Sequence, residues 1–280
     1  MQILTQDSSI TLYNEHFREA YHNANDGALQ ETLHKHILPA LSLQTNMPYL
    51  SVLDICFGLG FNTLCLLFAA RLQNFSGKIA IHSPEIDERL LPRLLSFPYP
   101  KELKSQRVAL ESLVKTHYFK EANFEVVLHL GDAREILAGF VENWNPKRDF
   151  QKDSNLQTQR EQRIPKMPFN VIFQDPFSPA KNRSLWTYEY FKNLYVLSAQ
   201  NVVITTYSLH SGMLYSAYLA GFYAYRVKQK RVRDSVILTK TSEIPRLRLE
   251  NVLEITPINL AHKIKANPNL WGLYDENKGV

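Results

Sequence analysis

Four apolar runs of strand length each end at or beside an acid. They are residues 49–55 with Asp54, 78–83 followed by Pro84-Glu85, 124–130 followed by Gly131-Asp132, and 170–174 followed by Asp175. Helical spacing of apolar residues fills the chain between and after them, at 61–72, 87–97, 101–116, 133–141 and 186–197. A fifth strand is predicted at 201–206 and a helix at 210–220. Strands separated by whole helices pair in parallel and carry helices on both faces of the sheet. In such a sheet ligands bind outside the carboxyl ends of the strands, where the four acids lie.

The rhythm changes at the end. Residues 221–227 and 235–239 read as strands joined by a basic connection too short for a helix, so they must form an antiparallel hairpin. Five β-α units closed by such a hairpin differ from the standard dinucleotide fold. They predict an α/β fold with a seven-stranded, mostly parallel, Rossmann-like sheet of the class I methyltransferase type. Ahead of it, strands at 3–5 and 10–13 and a helix at 26–42, with Asp26 as its cap, form a small β/α extension. The expected division is 1–45 for this extension, 46–245 for the catalytic domain and 246–280 for a C-terminal tail. Residues 145–167 are polar and poor in apolar side chains, and read as an exposed insertion.

A chain of 280 residues can bury a large core, and a formal charge of +5 mildly favours a polyanionic partner. Two cysteines, Cys56 and Cys65, cannot build a disulfide framework or a zinc site alone, which suits a reducing cytoplasm. The N-terminus has no charged-then-apolar leader pattern, and no apolar stretch is long enough to span a bilayer. A membrane association is therefore not expected. His34 and His36, two apart on a helix, point to different faces, so no metal site is expected there.

The segment Asp54-Ile-Cys-Phe-Gly-Leu-Gly follows a strand and precedes a helix. Gly58 and Gly60 allow a tight turn and close approach of backbone to a ligand. Asn62 stands two residues beyond Gly60, and the third glycine of a dinucleotide fingerprint is missing. An acid just before the glycines would repel a diphosphate but suits a sulfonium or amine cation. Glu85, with Asp87 as competitor, can accept ribose hydroxyls. Asp132 can accept the exocyclic amine of adenine, or simply cap the helix that follows. Asp175-Pro176-Phe177 is the most pointed group: an acid to orient N–H groups and deal with an amine's proton, and a ring to stack on a substrate. Lys181 and Arg183, and the hairpin's Lys228, Lys230, Arg231 and Arg233, would meet phosphate if the substrate is nucleic acid; otherwise they are solvated surface. His22 beside Tyr21 reads as either an active-site or a structural residue.

Four stretches resemble the MnmC-type methyltransferase domain family, the tRNA wobble-uridine 5-(aminomethyl) methyltransferases in their stand-alone form. They are the opening residues (Thr11-Leu-Tyr, Glu19-Ala-Tyr-His, Asp26-Gly-Ala-Leu-Gln-Glu-Thr), Phe57-Gly-Leu-Gly-Phe-Asn-Thr-Leu, Ser83-Pro-Glu, and Asp175-Pro-Phe-Ser-Pro-Ala-Lys-Asn-Arg-Ser-Leu-Trp-Thr. Thr205-Thr-Tyr-Ser fits the end of the fifth strand. The resemblance covers most of 5–240 and implies S-adenosyl-L-methionine as cofactor, held by Asp54, Phe57, Gly58, Gly60, Asn62, Glu85, Asp132 and Asp175. It implies Asp175 and Phe177 as catalytic residues, and Tyr21, Glu31, Pro179, Lys181, Trp186 and Tyr207 as substrate contacts. The implied reaction converts 5-aminomethyl(-2-thio)uridine at the tRNA wobble position to its methylaminomethyl form. Some members carry a fused flavin oxidoreductase domain that generates the amine; here a separate FAD-dependent or other amine-generating enzyme is expected as partner.

The chain departs from the family pattern at Cys56, where a glycine or small residue is usual, and at Pro176, where the family has glycine. Two other readings stay open at this point: an amino-group methyltransferase acting on another nucleic-acid base, and a nicotinamide-dependent oxidoreductase.

Overall fold

The computed structural model describes residues 1–45, 47–144, 164–243, 254–267 and 270–276. The expected insertion therefore lies, for 145–163, outside the described residues, as do 246–253, 268–269 and 277–280 of the expected tail. The chain opens with a three-stranded antiparallel sheet, β1 (Gln2–Leu4), β2 (Ile10–Asn14) and β3 (Glu19–Ala20). A helical stretch follows: α1 (Ala28–Thr32), a π-helical turn (Leu33–Ile37) and α2 (Leu38–Leu43). Asp26 does not cap this helix. Gly27 stands at the cap position with φ of 84°, and Asp7 accepts the Gln30 N–H at 2.9 Å instead. Asp26 is drawn off by Lys35 Nζ, 2.6 Å from its carboxylate, because a buried ammonium needs counter-charges more than an N–H needs a cap.

The main body alternates as the pattern requires: β4 (Tyr49–Ile55), α3 (Phe61–Leu72), β5 (Lys78–Glu85), the short α4 (Leu91–Leu94), α5 (Arg107–Thr116), β6 (Tyr118–Glu121), β7 (Phe124–Leu130) and α6 (Ala133–Asn143). It continues with β8 (Phe169–Gln174), α7 (Tyr188–Leu197), β9 (Ser198–Thr206), α8 (Ser211–Leu219), β10 (Tyr223–Lys228), β11 (Ser235–Thr239), β12 (Glu254–Pro257) and α9 (Leu260–Ala266). The sheet order is β12-β10-β11-β9-β8-β4-β5-β7-β6. Five adjacent strands, β9-β8-β4-β5-β7, run parallel, and β11 and β10 close the sheet as the antiparallel hairpin.

The expectation of seven strands falls short by two edge strands among the described residues. β6 folds back on β7 through a turn at Ala122 (φ 44°), with Phe119 buried, and β12 adds to the outer edge of β10. Both are four residues long, at the lower limit at which strand periodicity can be read.

Leu50, Val52, Leu53 and Ile55 of β4 are fully buried, and each contributes roughly 1.5–3 kcal/mol by leaving water. Alternate residues face opposite layers. Leu50 and Val52 join the cluster under α3 and α5, while Leu53 and Ile55 join that under α6, α7 and α8. From β4 the chain moves outward through β5 and β7, then returns to β8 on the other side of β4. This reversal opens a crevice above the carboxyl ends of β4 and β8. Among the described residues no helix is long and apolar enough to cross a membrane.

Candidate active site

The turn after β4 is the tightest piece of backbone at the crevice. Cys56, Gly58 and Gly60 have φ of 67°, 53° and 74°. A side chain on Gly60 would sit 2.9 Å from the Phe57 ring, and one on Gly58 would press on Tyr21 at 3.2 Å. Cys56 thus adopts the conformation for which a glycine is the natural choice, at a cost of roughly 1–2 kcal/mol. The turn is fixed from below, since Gly58 N–H donates to Glu85 Oε2 at 2.7 Å and Phe57 N–H donates to Pro84 O at 2.8 Å.

A cavity of about 880 Å³ opens over this turn. Glu85 lies in its wall, 6% exposed, and its other oxygen accepts the Asp87 N–H at 2.8 Å. Burial pushes the Glu85 carboxyl above its ordinary value against these backbone bonds. Asp87 also lines the cavity but is tied to Arg89, whose backbone and side-chain nitrogens both donate to it. Asp132 lines the wall as well and caps α6 by accepting the Arg134 N–H at 2.7 Å. The Cys56 thiol at the cavity floor reports the local field. Burial first, then the charges of Glu85, Asp175, Asp54 and Asp132, hold it well above its ordinary range.

Asp175 stands at the end of β8 and lines the same cavity. Asn62 Nδ2 donates to its Oδ2 at 3.0 Å, and His36 Nε2 lies 3.4 Å from its Oδ1. Burial works to raise the Asp175 pKa, but His36, His22 and Asn62 outweigh it and hold the carboxyl below its ordinary value. Phe177 stacks on Phe17 at 4.6 Å between ring centroids and tilts against Tyr21 at 5.1 Å, so the β2–β3 hairpin supplies half of an aromatic wall. Glu19 fastens that hairpin to the loop by accepting both the N–H and the hydroxyl of Ser178. Glu31 and His22 also line the cavity. Glu31 pairs with the buried Lys35 at 2.8 Å, and His22 bridges to the Thr11 hydroxyl at 3.1 Å.

Of the residues expected at the site, Gly58, Glu85, Asp132, Asp175, Phe177, Tyr21, Glu31 and Tyr207 line the cavity. Asp54, Phe57, Gly60 and Asn62 lie beneath it, buried and holding the turn. Trp186 is fully buried, and its indole N–H donates to Phe177 O at 2.8 Å. Tyr207 O–H donates to Pro176 O at 2.9 Å, so these two side chains fix the 175–177 loop through its carbonyls. Pro179 is buried away from the cavity wall and Lys181 is exposed outside it; neither touches the space above Asp175. The hairpin's basic cluster is partly spoken for, with Lys228 paired to Glu254 and Arg233 to Asp26. Sequence reasoning missed Phe17 and His36. Phe17 sits in a hairpin with no periodicity to mark it, and the spacing of His34 and His36 speaks only to metal binding.

The wall fits a phosphate-free, cationic nucleoside. Glu85 and Asp132 are acceptors for hydroxyl and amine hydrogens, the backbone approaches closely at Gly58, and the surrounding field is negative. A diphosphate would face the same acids.

Residues 156–238 match the family described as S-adenosyl-L-methionine-dependent methyltransferase. An uncharacterized protein of Methanocaldococcus jannaschii is 27% identical over 208 residues, 73% of this chain and 49% of that protein. The tRNA 5-methylaminomethyl-2-thiouridine biosynthesis bifunctional protein MnmC of Pseudomonas savastanoi pv. phaseolicola is 30% identical over 187 residues, 63% of this chain and 24% of that protein. The match thus spans about half or less of the length of these curated relatives. The crystal structure of MnmC2 from Aquifex aeolicus superposes with a TM-score of 0.75 at 22% identity, covering 99% of this chain and 79% of that one. At that identity the likeness establishes a shared fold.

Proposed function

We propose that this chain, an S-adenosyl-L-methionine-dependent methyltransferase of MnmC-like fold, methylates the amino nitrogen of 5-aminomethyl(-2-thio)uridine at the tRNA wobble position. The observation that carries the reading is the placement of Asp175. An ionised carboxylate stands at the strand end, inside an acid-lined cavity, beside the aromatic wall of Phe17, Tyr21 and Phe177. The name of the Pseudomonas relative, which ties it to this tRNA modification, supports the same substrate.

When bound, the cofactor supplies an electrophilic methyl group on a positively charged sulfur. Glu85 and Asp132 would hold its nucleoside and Gly58 would pass close beneath it. The aromatic wall would stack the pyrimidine and shut out water on that side. Asp175 would accept one N–H of the aminomethyl group and so turn its lone pair toward the methyl. The depressed pKa makes Asp175 a firm acceptor and a weak base. The amine's proton therefore leaves to solvent before transfer, and Asp175 steadies the secondary ammonium that forms.

The test is transfer of radiolabelled methyl from S-adenosylmethionine to tRNA prepared without the final wobble methyl. Label in the wobble nucleoside as the methylaminomethyl form supports the reading; label confined to another nucleoside, or none, overturns it. Supply of the free amine by a separate flavin-dependent or other modification enzyme belongs to the same proposal.

A further inference from the structure

His36 is fully buried and lies in the π-helical turn between α1 and α2. Such turns fit an extra residue into a helix and are frequent at functional sites. This one packs on α3 and on β9, and it delivers the imidazole to the underside of Asp175. One ring nitrogen, Nδ1, lies 2.8 Å from Thr205 Oγ1 at the end of β9. The other, Nε2, has no hydrogen-bond partner among the described residues and faces Asp175 Oδ1 at 3.4 Å. A buried imidazole nitrogen left without a partner is costly unless something across from it uses it.

Two neutral tautomers are available to the ring. With hydrogen on Nδ1, a bare Nε2 lone pair would point at a carboxylate oxygen and repel it. With hydrogen on Nε2, the Thr205 hydroxyl donates to Nδ1 and the ring presents an N–H to Asp175. The second arrangement satisfies both ends. On the opposite oxygen, Asn62 supplies the matching donor at 3.0 Å. In that arrangement donors from His36 and Asn62 face the two oxygens of a carboxylate that lines the cavity.

We propose that His36 is a positioning residue for methyl transfer: held by Thr205, it directs an Nε2–H at Asp175 and fixes the rotamer in which that carboxylate receives the substrate amine. This rests on the proposed role of Asp175 in orienting the amine. The ionisable groups facing His36 are Asp175 and, nearby, Asp54 from β4 and His22 from the segment after β3. His36→Phe keeps the ring volume and removes both nitrogens. His36→Gln keeps a donor that can reach Asp175.

The test has two arms. In the first, nitrogen NMR of the imidazoles is recorded for the wild-type protein and for Asp175→Asn, with no substrate present. We expect His36 to carry its hydrogen on Nε2 and its ring signals to move in Asp175→Asn. Hydrogen on Nδ1 with a bare Nε2, or signals indifferent to Asp175→Asn, overturns the proposal whatever the substrate is. In the second, single-turnover methyl transfer at saturating S-adenosylmethionine is followed from pH 5 to 8. His36→Phe should lose about tenfold or more, as misplaced catalytic groups do. It should gain a steeper fall toward acid pH, while its cofactor dissociation constant stays within about twofold. His36→Gln should recover most of the rate, and if His36→Phe does not fold, His36→Gln against Thr205→Val gives the comparison. Transfer unchanged in His36→Phe, or cofactor affinity lost in parallel with rate, refutes the positioning role. Failure of the wild-type protein to methylate its tRNA would refute the substrate reading and leave the NMR result standing.

Discussion

Asp54 and Asp175 share one amide: Asn62 Nδ2 lies 3.2 Å from Asp54 Oδ1 and 3.0 Å from Asp175 Oδ2. Two carboxylates on neighbouring strands are thereby separated by a single donor, and their environments push them apart. Asp175 is held below its ordinary value, whereas burial, and then the nearby charge of Asp175, raise Asp54 to about 7 against the Thr63 and Asn62 bonds. Replacing Asn62 by Leu removes the shared donor and leaves both acids facing each other. We expect a loss of roughly 1–3 kcal/mol in unfolding free energy, read from urea denaturation at pH 7.5. Methyl transfer should fall with it, because Asp175 loses one of its two rear supports. Unchanged stability would show that the amide bridge contributes nothing.

The raised pKa of Asp54 has a definite sign. The folded protein holds a proton on Asp54 that the unfolded chain releases near pH 4. The stability this proton lends is complete below the unfolded value and is lost as pH rises through about 7. Asp54→Asn removes that dependence. Urea midpoints measured from pH 4 to 8 should therefore fall less with rising pH in Asp54→Asn than in the wild-type protein. Parallel curves would mean that Asp54 titrates alike in both states.

Asp175→Ala separates chemistry from cofactor binding. Asp175 is aimed at the cavity, whereas the Gly58 turn and Glu85 are fixed to each other independently of it. We expect transfer to drop by about 10²–10⁴, with the calorimetric dissociation constant for S-adenosylmethionine within a few fold of wild type. Equal loss of both would assign Asp175 to the scaffold.

The parallel sheet and the acid at each strand end were legible because burial on both faces writes long apolar runs, and because acids interrupting them stand out. The residues singled out by the same pattern, Gly58, Glu85, Asp132 and Asp175, all line the cavity. What stayed hidden depends on contacts distant in sequence. His36 meets Thr205 across 169 residues, and Phe17 meets Phe177 only when the β2–β3 hairpin folds over the loop. Local spacing carries no mark of either. The small edge strands β6 and β12 escaped for the opposite reason, being at the lower limit of length at which a period can be read. Lys181 is exposed and lies outside the cavity wall, so the cavity itself says nothing of its role.

Arg233 is one of two arginines, with Arg89, that line the cavity among the described residues. Its backbone N–H and its Nε both donate to Asp26, at 3.2 and 3.1 Å, and Asp26 is itself pinned by the buried Lys35. The side chain remains 63% exposed and lines the cavity. An arginine pre-set in this way loses little freedom on meeting a phosphate. If the substrate is tRNA, Arg233→Gln should raise KM for tRNA several fold with kcat nearly unchanged. It should also flatten the dependence of log affinity on log salt by about 0.7, the share of one single-strand phosphate contact. Cofactor affinity should not move. A salt slope equal to that of wild type would place the phosphates elsewhere on the surface and leave Arg233 as a strut between the closing hairpin and the N-terminal extension.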